Sequence, residues 1–163
     1  MSRLAEVTAK VDAFFTRVEQ RHGEDMQCAT GCSDCCHARL TVTGVEAAAI
    51  RAELATWDAA RREALAANAV AAPADHCAAL DPAGRCLIYA ARPVVCRSHG
   101  APIRLHAGSL PVMPSCGKNF LQVTPDADCI LDQGTLSTLV LAVDKMEGGD
   151  GSRIELSSLL GTE

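Results

Sequence analysis

Aromatic side chains are scarce in this chain of 163 residues, which contains three Phe, one Tyr and one Trp. Aromatic side chains bury the largest apolar areas, so this core has to be built mainly from Ala, Val, Leu and Ile. The length suits one compact body, and the composition shows no break that demands two. We therefore predict a single domain over residues 1–163 with an aliphatic core.

Long apolar runs are also lacking. The first twenty residues include Glu6, Lys10 and Asp12, and no uninterrupted apolar stretch of secretory length follows them. No segment approaches the roughly 18 uncharged apolar residues of a membrane span. The net charge of −5 offers no excess of Lys and Arg for phosphate contacts. We expect a cytoplasmic protein with reduced thiols and with neither a membrane nor a nucleic-acid partner.

The usual hydrolytic motifs are missing from the sequence. It contains no Gly-rich phosphate loop, no nucleophile elbow and no zinc-protease helix. Its only lysines, Lys10, Lys118 and Lys145, do not lie in a recognisable Schiff-base setting. The sequence therefore designates no catalytic residue and leaves open whether the protein is an enzyme.

Cysteine, by contrast, is abundant, and four of the nine cysteines lie within nine residues as Cys28-x3-Cys32-x2-Cys35-Cys36. Four sulfurs this close can share one soft metal centre, because thiolates favour zinc, copper(I) and the iron of iron-sulfur clusters. A disulfide framework is disfavoured by the odd count, by the lack of an export signal and by the adjacency of Cys35 and Cys36. The pattern predicts a metal site.

A second cysteine-rich stretch follows later in the chain. It begins with Cys77 and continues as Cys86-Leu87-Ile88-Tyr89-Ala90-Ala91-Arg92-Pro93-Val94-Val95-Cys96-Arg97. The C-x3-C-x2-C part of the first cluster alone is also found in radical SAM enzymes, but 163 residues with this pattern do not supply their barrel of strands and helices. The two stretches together, in this order, indicate a protein family more specifically than the first cluster does alone.

Together the two stretches resemble the YkgJ-type cysteine-cluster family, which is described as zinc- or iron-chelating. A similar module occurs in a flagellin lysine methylase, where it is taken to bind iron and sulfur. The matched pattern covers residues 28–97 and extends toward Cys116, and we predict a metal-binding core over about residues 28–129. The resemblance implies ligand roles for Cys28, Cys32, Cys35, Cys36, Cys77, Cys86, Cys96 and Cys116. Cys129 lies outside the matched pattern.

Three side chains near Cys96 are candidates to hydrogen-bond the metal ligands. Arg92 and Arg97 carry permanent planar donor arrays, and Pro93 restricts the backbone that presents Cys96. His99 is placed three residues after Cys96. Surface ion pairing is the alternative for each arginine. The histidines beside cysteines, His37, His76 and His99, are expected to donate hydrogen bonds more often than to bind metal.

Acidic residues are absent from one long segment. Residues 82–125 contain no Asp or Glu but five cations, so the segment carries +5 and the rest of the chain −10. Two four-thiolate sites would each add about −2 of charge, whether as zinc or as an oxidised 4Fe-4S cluster. The segment is suited to compensating that charge, or to receiving an anionic substrate or a negatively charged partner protein.

The periodicity predicts a small α-rich domain with two to three helices on irregular, metal-tied loops and two short strands. Helices are expected over residues 3–21, over 47–67 after the Thr43/Glu46 capping box, and over 132–146. Residues 40–42 suggest a short strand, and residues 76–125 suggest loops and short strands around the ligands. Trp57 is expected in the core, His22 and His106 on the surface, and the last dozen residues in a surface tail or a docking turn.

These patterns favour an iron-sulfur protein, of 4Fe-4S type, with a redox or accessory role and a redox partner protein. A zinc-stapled structural or partner-binding module is the first alternative, since ligand softness does not separate zinc from iron-sulfur iron. Handling of copper or other soft metals is the second. An enzyme that uses the cluster directly on a bound substrate is the third.

Overall fold

The computed structural model describes residues 2–107, 110–112 and 116–161. It confirms the small α-rich fold class. The helices of these residues are α1 (Arg3–His22), α2 (Gly44–Ala55), α3 (Ala59–Ala71), α4 (Val94–Ser98), α5 (Gln133–Met146) and α6 (Leu156–Leu160). The strands are β1 (Thr41–Thr43), β2 (Ile103–Ala107), β3 (Leu110–Val112), β4 (Leu131–Asp132) and β5 (Arg153–Glu155).

Two compact units divide the chain. Unit 1 is formed by the residues up to Ala29 and by Val94–Val143, and unit 2 by Thr30–Pro93 and the residues from Asp144 onward. The boundary falls inside the first cysteine cluster, so Cys28 belongs to unit 1 and the other three cysteines of that cluster to unit 2. This division does not test whether the chain is one domain, which stays a prediction.

Unit 1 is organised by α1, whose predicted position is confirmed. The side chain of Ser2 caps the helix by accepting a hydrogen bond of 3.2 Å from the Ala5 N–H. The apolar face that the helical spacing predicted is buried: Leu4, Val7, Val11, Phe14 and Val18. Phe14 and Val18 share one hydrophobic cluster with Met26, Ala101 and Cys129. A short sheet, in which β2 pairs antiparallel with β3 and parallel with β4, also belongs to unit 1.

Unit 2 has a separate aliphatic core, to which α2, α3 and α6 contribute. Strand β1 pairs antiparallel with β5, with Val42 opposite Ile154. The predicted capping box is confirmed, since Glu46 accepts a hydrogen bond of 3.0 Å from the Thr43 N–H. Helix α6 buries Leu156, Leu159 and Leu160 in this core. The end of the described chain is therefore a docking element rather than a surface tail.

The uninterrupted helix expected over residues 47–67 is wrong. Helix α2 ends at Ala55 and α3 begins at Ala59, with Asp58 as a new N-cap that accepts 2.8 Å from the Arg61 N–H. Composition favoured one helix, but the Asp58 side chain competes for backbone donors and begins a second one. The prediction for Trp57 is confirmed, because its side chain is buried at the break.

A buried carboxylate secures the start of α2. Asp144 is 1% exposed and accepts hydrogen bonds from the N–H groups of Val45 at 2.8 Å and Gly151 at 3.2 Å. A Cβ at Gly149 would collide with this carboxylate, so only glycine fits there. The negative charge at the helix N-terminus also suits the helix dipole. This contact fixes α2 relative to the chain that follows α5.

Candidate metal centre

Four cysteines of unit 2 come from three segments that the fold ties together. Cys35 and Cys36 lie in the 3-10 turn Asp34–Cys36, while Cys77 and Cys86 lie after α3 on either side of a tight turn. The N–H of Cys77 donates to the Cys36 carbonyl at 2.7 Å. Nearby, the guanidinium of Arg39 donates to the Ala74 carbonyl at 2.9 Å. These bonds fix the first segment against the second.

The segments of Cys77 and Cys86 pair with each other. Cys86 forms an antiparallel bridge with Leu80, and the Leu87 N–H donates to the Ala79 carbonyl at 2.8 Å. The side-chain amide of Asn68 in α3 donates to the carbonyls of Ala78 and Leu80, both at 3.0 Å. Helix α3 therefore satisfies the carbonyl groups of the strand-like stretch that follows Cys77.

The turn between these two cysteines is built around Asp81. Its carboxylate accepts from the N–H groups of Ala83 at 2.9 Å and Arg85 at 2.8 Å, and its other oxygen pairs with the Arg85 guanidinium at 2.9 Å. These donors, the Arg85 N–H foremost, lower the pKa of Asp81. Gly84 has a φ of +76°, and a Cβ there would lie 3.0 Å from the Gly31 carbonyl oxygen. The turn thus lies against the segment of Cys32.

The thiols of the four cysteines act on one another electrostatically. The Sγ atoms of Cys35 and Cys36 are 4.0 Å apart. The hydrogen bond with Cys35 raises the pKa of Cys36 far above its usual value, as do burial and the charges of Cys35, Cys77 and Cys86. Burial also raises the pKa of Cys77 and of Cys86, and each is raised further by Cys35. Without a metal, these three thiols therefore retain their protons at neutral pH.

Other groups around the site favour the thiolate form. The backbone N–H of Ala79 lowers the pKa of Cys77, and that of Ile88 lowers the pKa of Cys86. Each donor belongs to the residue two positions after its cysteine. The cations of Arg39 and Arg92 act in the same direction on Cys77 and Cys86 respectively. Hydrogen bonds and positive charge of this kind stabilise metal-bound thiolates and tune the metal.

Burial is uneven across the four cysteines. Cys77 is 6% exposed, Cys36 and Cys86 are half-buried, and Cys35 is exposed. A metal at this position would be covered by the core of unit 2 on one side and open to solvent beside Cys35. Such an arrangement permits both metal delivery and electron exchange at the exposed edge.

The four thiols suit a soft metal, and the distances between their sulfurs can be compared with those around a single zinc. A single zinc with Zn–S bonds of about 2.3 Å requires sulfur–sulfur distances of about 3.8 Å throughout. The Cys35–Cys36 pair, at 4.0 Å, is close to that value. Among the described residues, however, only His22, Asp126 and Cys129 bring three ligand atoms within 4.8 Å of one another. Among the sulfurs of Cys35, Cys36, Cys77 and Cys86, therefore, no three lie within 4.8 Å of one another.

The remaining predicted ligands fall into both units. Cys32 lies in unit 2, while Cys28, Cys96 and Cys116 lie in unit 1. The side-chain amide of the buried Asn119 lies 3.3 Å from the Cys28 sulfur. Nothing tests the eight ligand assignments individually, so they stay predictions.

The three polar side chains predicted to support the metal have different surroundings. Arg92 lies over the Tyr89 ring, 4.0 Å from its centroid, and acts on Cys86 as described above. Arg97 pairs with Asp12 of α1 at 2.8 Å, which matches the ion-pair alternative. His99 is exposed. Of these three side chains, Arg92 is the one described as lowering the pKa of one of the four cysteines, Cys86.

The histidines beside cysteines also form contacts in unit 2. The rings of His37 and His76 are 4.2 Å apart between centroids, and His76 Nδ1 lies 2.8 Å from the Asp75 carboxylate. His22 corrects the sequence-based expectation of a surface position, because its side chain is only 11% exposed. The side chain of His106 lies outside the described ones.

Sequence reasoning missed Arg39 and Asp81. Arg39 follows Cys36 by three residues, but only the fold brings it to Cys77. Asp81 was recognisable in principle, because Asp81-Pro82-Ala83-Gly84 has the residues of a type I turn, with Asp first, Pro second and Gly fourth. That turn is what aligns Cys77 with Cys86.

Clustered cysteines with hydrogen-bond donors and cations around their sulfurs define a metal-binding protein of the cysteine-cluster class. The model of the CxxCxxCC family, described as "Putative zinc- or iron-chelating domain", matches residues 27–117. The chain belongs to this family, which confirms the resemblance inferred from the two cysteine stretches. Comparisons with curated proteins and with solved structures gave no match. Within the described residues, no helix combines the length and apolarity needed to cross a bilayer.

Proposed function

We propose that Cys35, Cys36, Cys77 and Cys86 bind an iron-sulfur cluster of 4Fe-4S type, and that the protein serves as a cytoplasmic redox or accessory protein. The observation that carries the proposal is the convergence of these cysteines from three segments of one unit. The sulfurs of Cys35 and Cys36 are 4.0 Å apart, the Cys77 N–H donates to the Cys36 carbonyl, and Cys86 forms a bridge with Leu80. Thiols that disfavour each other's ionisation give up their protons together only when a metal cation replaces those protons.

The spacing of the sulfurs favours a cluster over a single zinc. In a 4Fe-4S cluster each thiolate binds a different iron, so the sulfurs lie farther apart than around one ion. The described residues of unit 2 contain no compact group of three ligand atoms of the kind that one zinc needs. The cations of Arg39 and Arg92 would offset part of the roughly −2 charge of an oxidised cluster with four thiolates.

The bound cluster would supply one-electron chemistry, and the chain's residues would set its conditions. Ala79 and Ile88 would donate their N–H groups to the cluster's thiolates, and Arg39 and Arg92 would place positive charge near them; both would raise the reduction potential by stabilising added negative charge. The core behind Cys77 excludes water on one side. A redox partner protein would approach the exposed Cys35 edge.

A zinc-stapled module is the second candidate. The 4.0 Å separation of the Cys35 and Cys36 sulfurs supports it, because two thiolates on one zinc lie about that far apart. In this case the metal would stabilise the loops of unit 2 and would not change oxidation state.

Anaerobic purification followed by analysis for iron, zinc, copper and acid-labile sulfide tests the proposal directly. The matched variants are Cys77→Ser and Ala78→Ser, since each adds a hydroxyl at a buried position of the same segment. We expect iron and sulfide in about equal amounts in the unsubstituted protein and in Ala78→Ser, and their loss in Cys77→Ser. Zinc without sulfide would support the second candidate. Equal metal content in both variants would contradict either form of the centre.

A further inference from the structure

We infer that His22, Asp126 and Cys129 of unit 1 form a separate binding site for a single divalent transition metal of the zinc class. One ligand atom from each residue lies within 4.8 Å of the other two. The three belong to unit 1, and none is among the four cysteines of the proposed centre. The inference therefore does not depend on the proposed function.

His22 is positioned as metal-binding histidines usually are. It is the last residue of α1, and its ring packs edge-on against Phe120 with centroids 5.4 Å apart. Its Nδ1 lies 3.4 Å from the Asp25 carboxylate. When Nδ1–H donates to that carboxylate, the lone pair of Nε2 is available as a ligand, and a carboxylate behind a metal-binding imidazole is the common arrangement.

The other histidine nitrogen, Nε2, lies beside Asp126. Nε2 lies 3.6 Å from Oδ2 of Asp126 and accepts a long hydrogen bond, 3.4 Å, from the Asp126 N–H, and a metal bound to Nε2 would replace that hydrogen bond. An accepting Nε2 is the tautomer that the Asp25 contact favours. Zinc bonds of about 2.0–2.3 Å to N, O and S place tetrahedral ligand atoms about 3.3–3.7 Å apart. The observed N–O separation already falls in that range.

Cys129 completes the set from the buried side. It is 0% exposed and lies at the end of the 3-10 turn Ala127–Cys129, three residues after Asp126. It would supply the sulfur ligand, which zinc-class metals bind as thiolate.

The alternative role for these residues is catalytic, with Cys129 as a nucleophile that His22 activates. It is disfavoured because a sulfur that is 0% exposed offers no approach to a substrate. Metal binding needs solvent access on one side only, and Asp126, whose side chain is 57% exposed, provides it. A fourth position filled by water would complete the tetrahedron.

Metal at this site would join the end of α1 to the turn that precedes β4. The same two elements are already linked by Arg17, which donates to the Asp128 carbonyl at 3.0 Å, and by the Arg21–Asp128 ion pair at 2.7 Å. A metal bound only to the folded form adds stability by mass action. We expect its loss to lower the thermal stability of unit 1 without changing the iron content.

Titration of the full-length protein with Co²⁺, after anaerobic purification with its first centre intact, tests the site. Asp126→Asn is compared with Asp128→Asn, because both carboxylates are about equally exposed and both lie near Arg21, but only Asp126 is in the site. We expect one Co²⁺ to bind the unsubstituted protein and Asp128→Asn. Asp126→Asn should bind it at least about 10-fold more weakly, and Asp25→Asn about 10-fold to 100-fold more weakly.

The spectrum identifies the ligands. A sulfur-to-cobalt charge-transfer band should appear on binding and should be absent in Cys129→Ser. If Cys129→Ser does not fold because Cys129 is buried, the comparison of Asp126→Asn with Asp128→Asn still tests the site. Equal Co²⁺ affinity of Asp126→Asn and Asp128→Asn would overturn the inference, as would a protein that binds no Co²⁺ beyond its first centre. Loss of iron in Cys77→Ser with retained Co²⁺ binding would separate this site from the proposed centre.

Discussion

Single residues around the four cysteines decide how readily the thiolates form. Burial raises the pKa of Cys86, and Arg92 opposes that effect while its guanidinium lies over Tyr89. Arg39 acts similarly on Cys77. Each of the two cysteines whose pKa is raised chiefly by burial therefore has a cation that opposes the effect.

Arg92→Gln should weaken metal binding by about 10-fold or more, because the Cys86 thiolate loses its nearby cation. If the metal is an iron-sulfur cluster, its reduction potential should also become more negative, which protein-film voltammetry measures. Arg61→Gln is the matched control, since Arg61 lies 3.4 Å above the Trp57 ring in the same unit. Each variant removes one charge and one stacked guanidinium. Equal effects would contradict a local role for Arg92.

At the level of secondary-structure elements, the site depends on how loops are tied to helices. Helix α3 holds the stretch after Cys77 through Asn68, and Asp81 closes the turn that leads to Cys86. Gly84 permits the close approach of this turn to Gly31. The loops are irregular, but their backbone groups are bonded in specific ways.

Gly84→Ala should lower the metal content, because a Cβ would press on the Gly31 carbonyl and displace the turn that carries Cys86. Gly148→Ala is the control: Gly148 also has a positive φ, of +89°, but a Cβ there would have no neighbour within 4 Å. Both variants bear the left-handed backbone penalty of roughly 1–2 kcal/mol. Metal analysis and thermal unfolding together should therefore distinguish the backbone strain, which both variants share, from the displacement of the turn, which only Gly84→Ala causes. Equal metal loss would refute the importance of the Gly31 contact.

For the whole molecule, the raised thiol pKa values predict how stability depends on pH. Burial and neighbouring thiols raise the pKa of Cys36, Cys77 and Cys86 in the folded, metal-free protein above the unfolded value of about 8.5. The folded state therefore keeps these protons longer than the unfolded state. Their contribution to stability is fully present below about pH 8 and is lost as the pH rises above about 8.5.

Thermal unfolding of metal-free protein between about pH 7 and about pH 10 should show this decline. The metal-loaded protein should behave in the opposite way and lose stability toward acid, because protons compete with metal for the thiolates. The variant with both Cys77→Ser and Cys86→Ser should show a weaker alkaline decline. A metal-free melting temperature that rises from about pH 8 to about pH 10 would contradict the thiol assignment.

Local signals in the sequence were sufficient for several elements. The apolar spacing of α1, the Thr43/Glu46 capping box and the periodicity of α5 all predicted helices that the structure contains. The break at Trp57 was missed because helix-forming composition outweighed the Asp58 cap. The burial of α6 was left undecided because the few residues after Gly151 cannot show which core they join.

The sequence by itself determined the chemistry: cysteines in two clusters, a basic segment and an α-rich fold with few aromatic residues. Tertiary structure decided which thiols act together, because Cys36 meets Cys77 through a backbone bond between residues 41 positions apart. It also brought His22 to Cys129, which no local pattern links. Donor identity is a property of side chains, whereas the geometry of a binding site depends on contacts between segments that are distant in the chain.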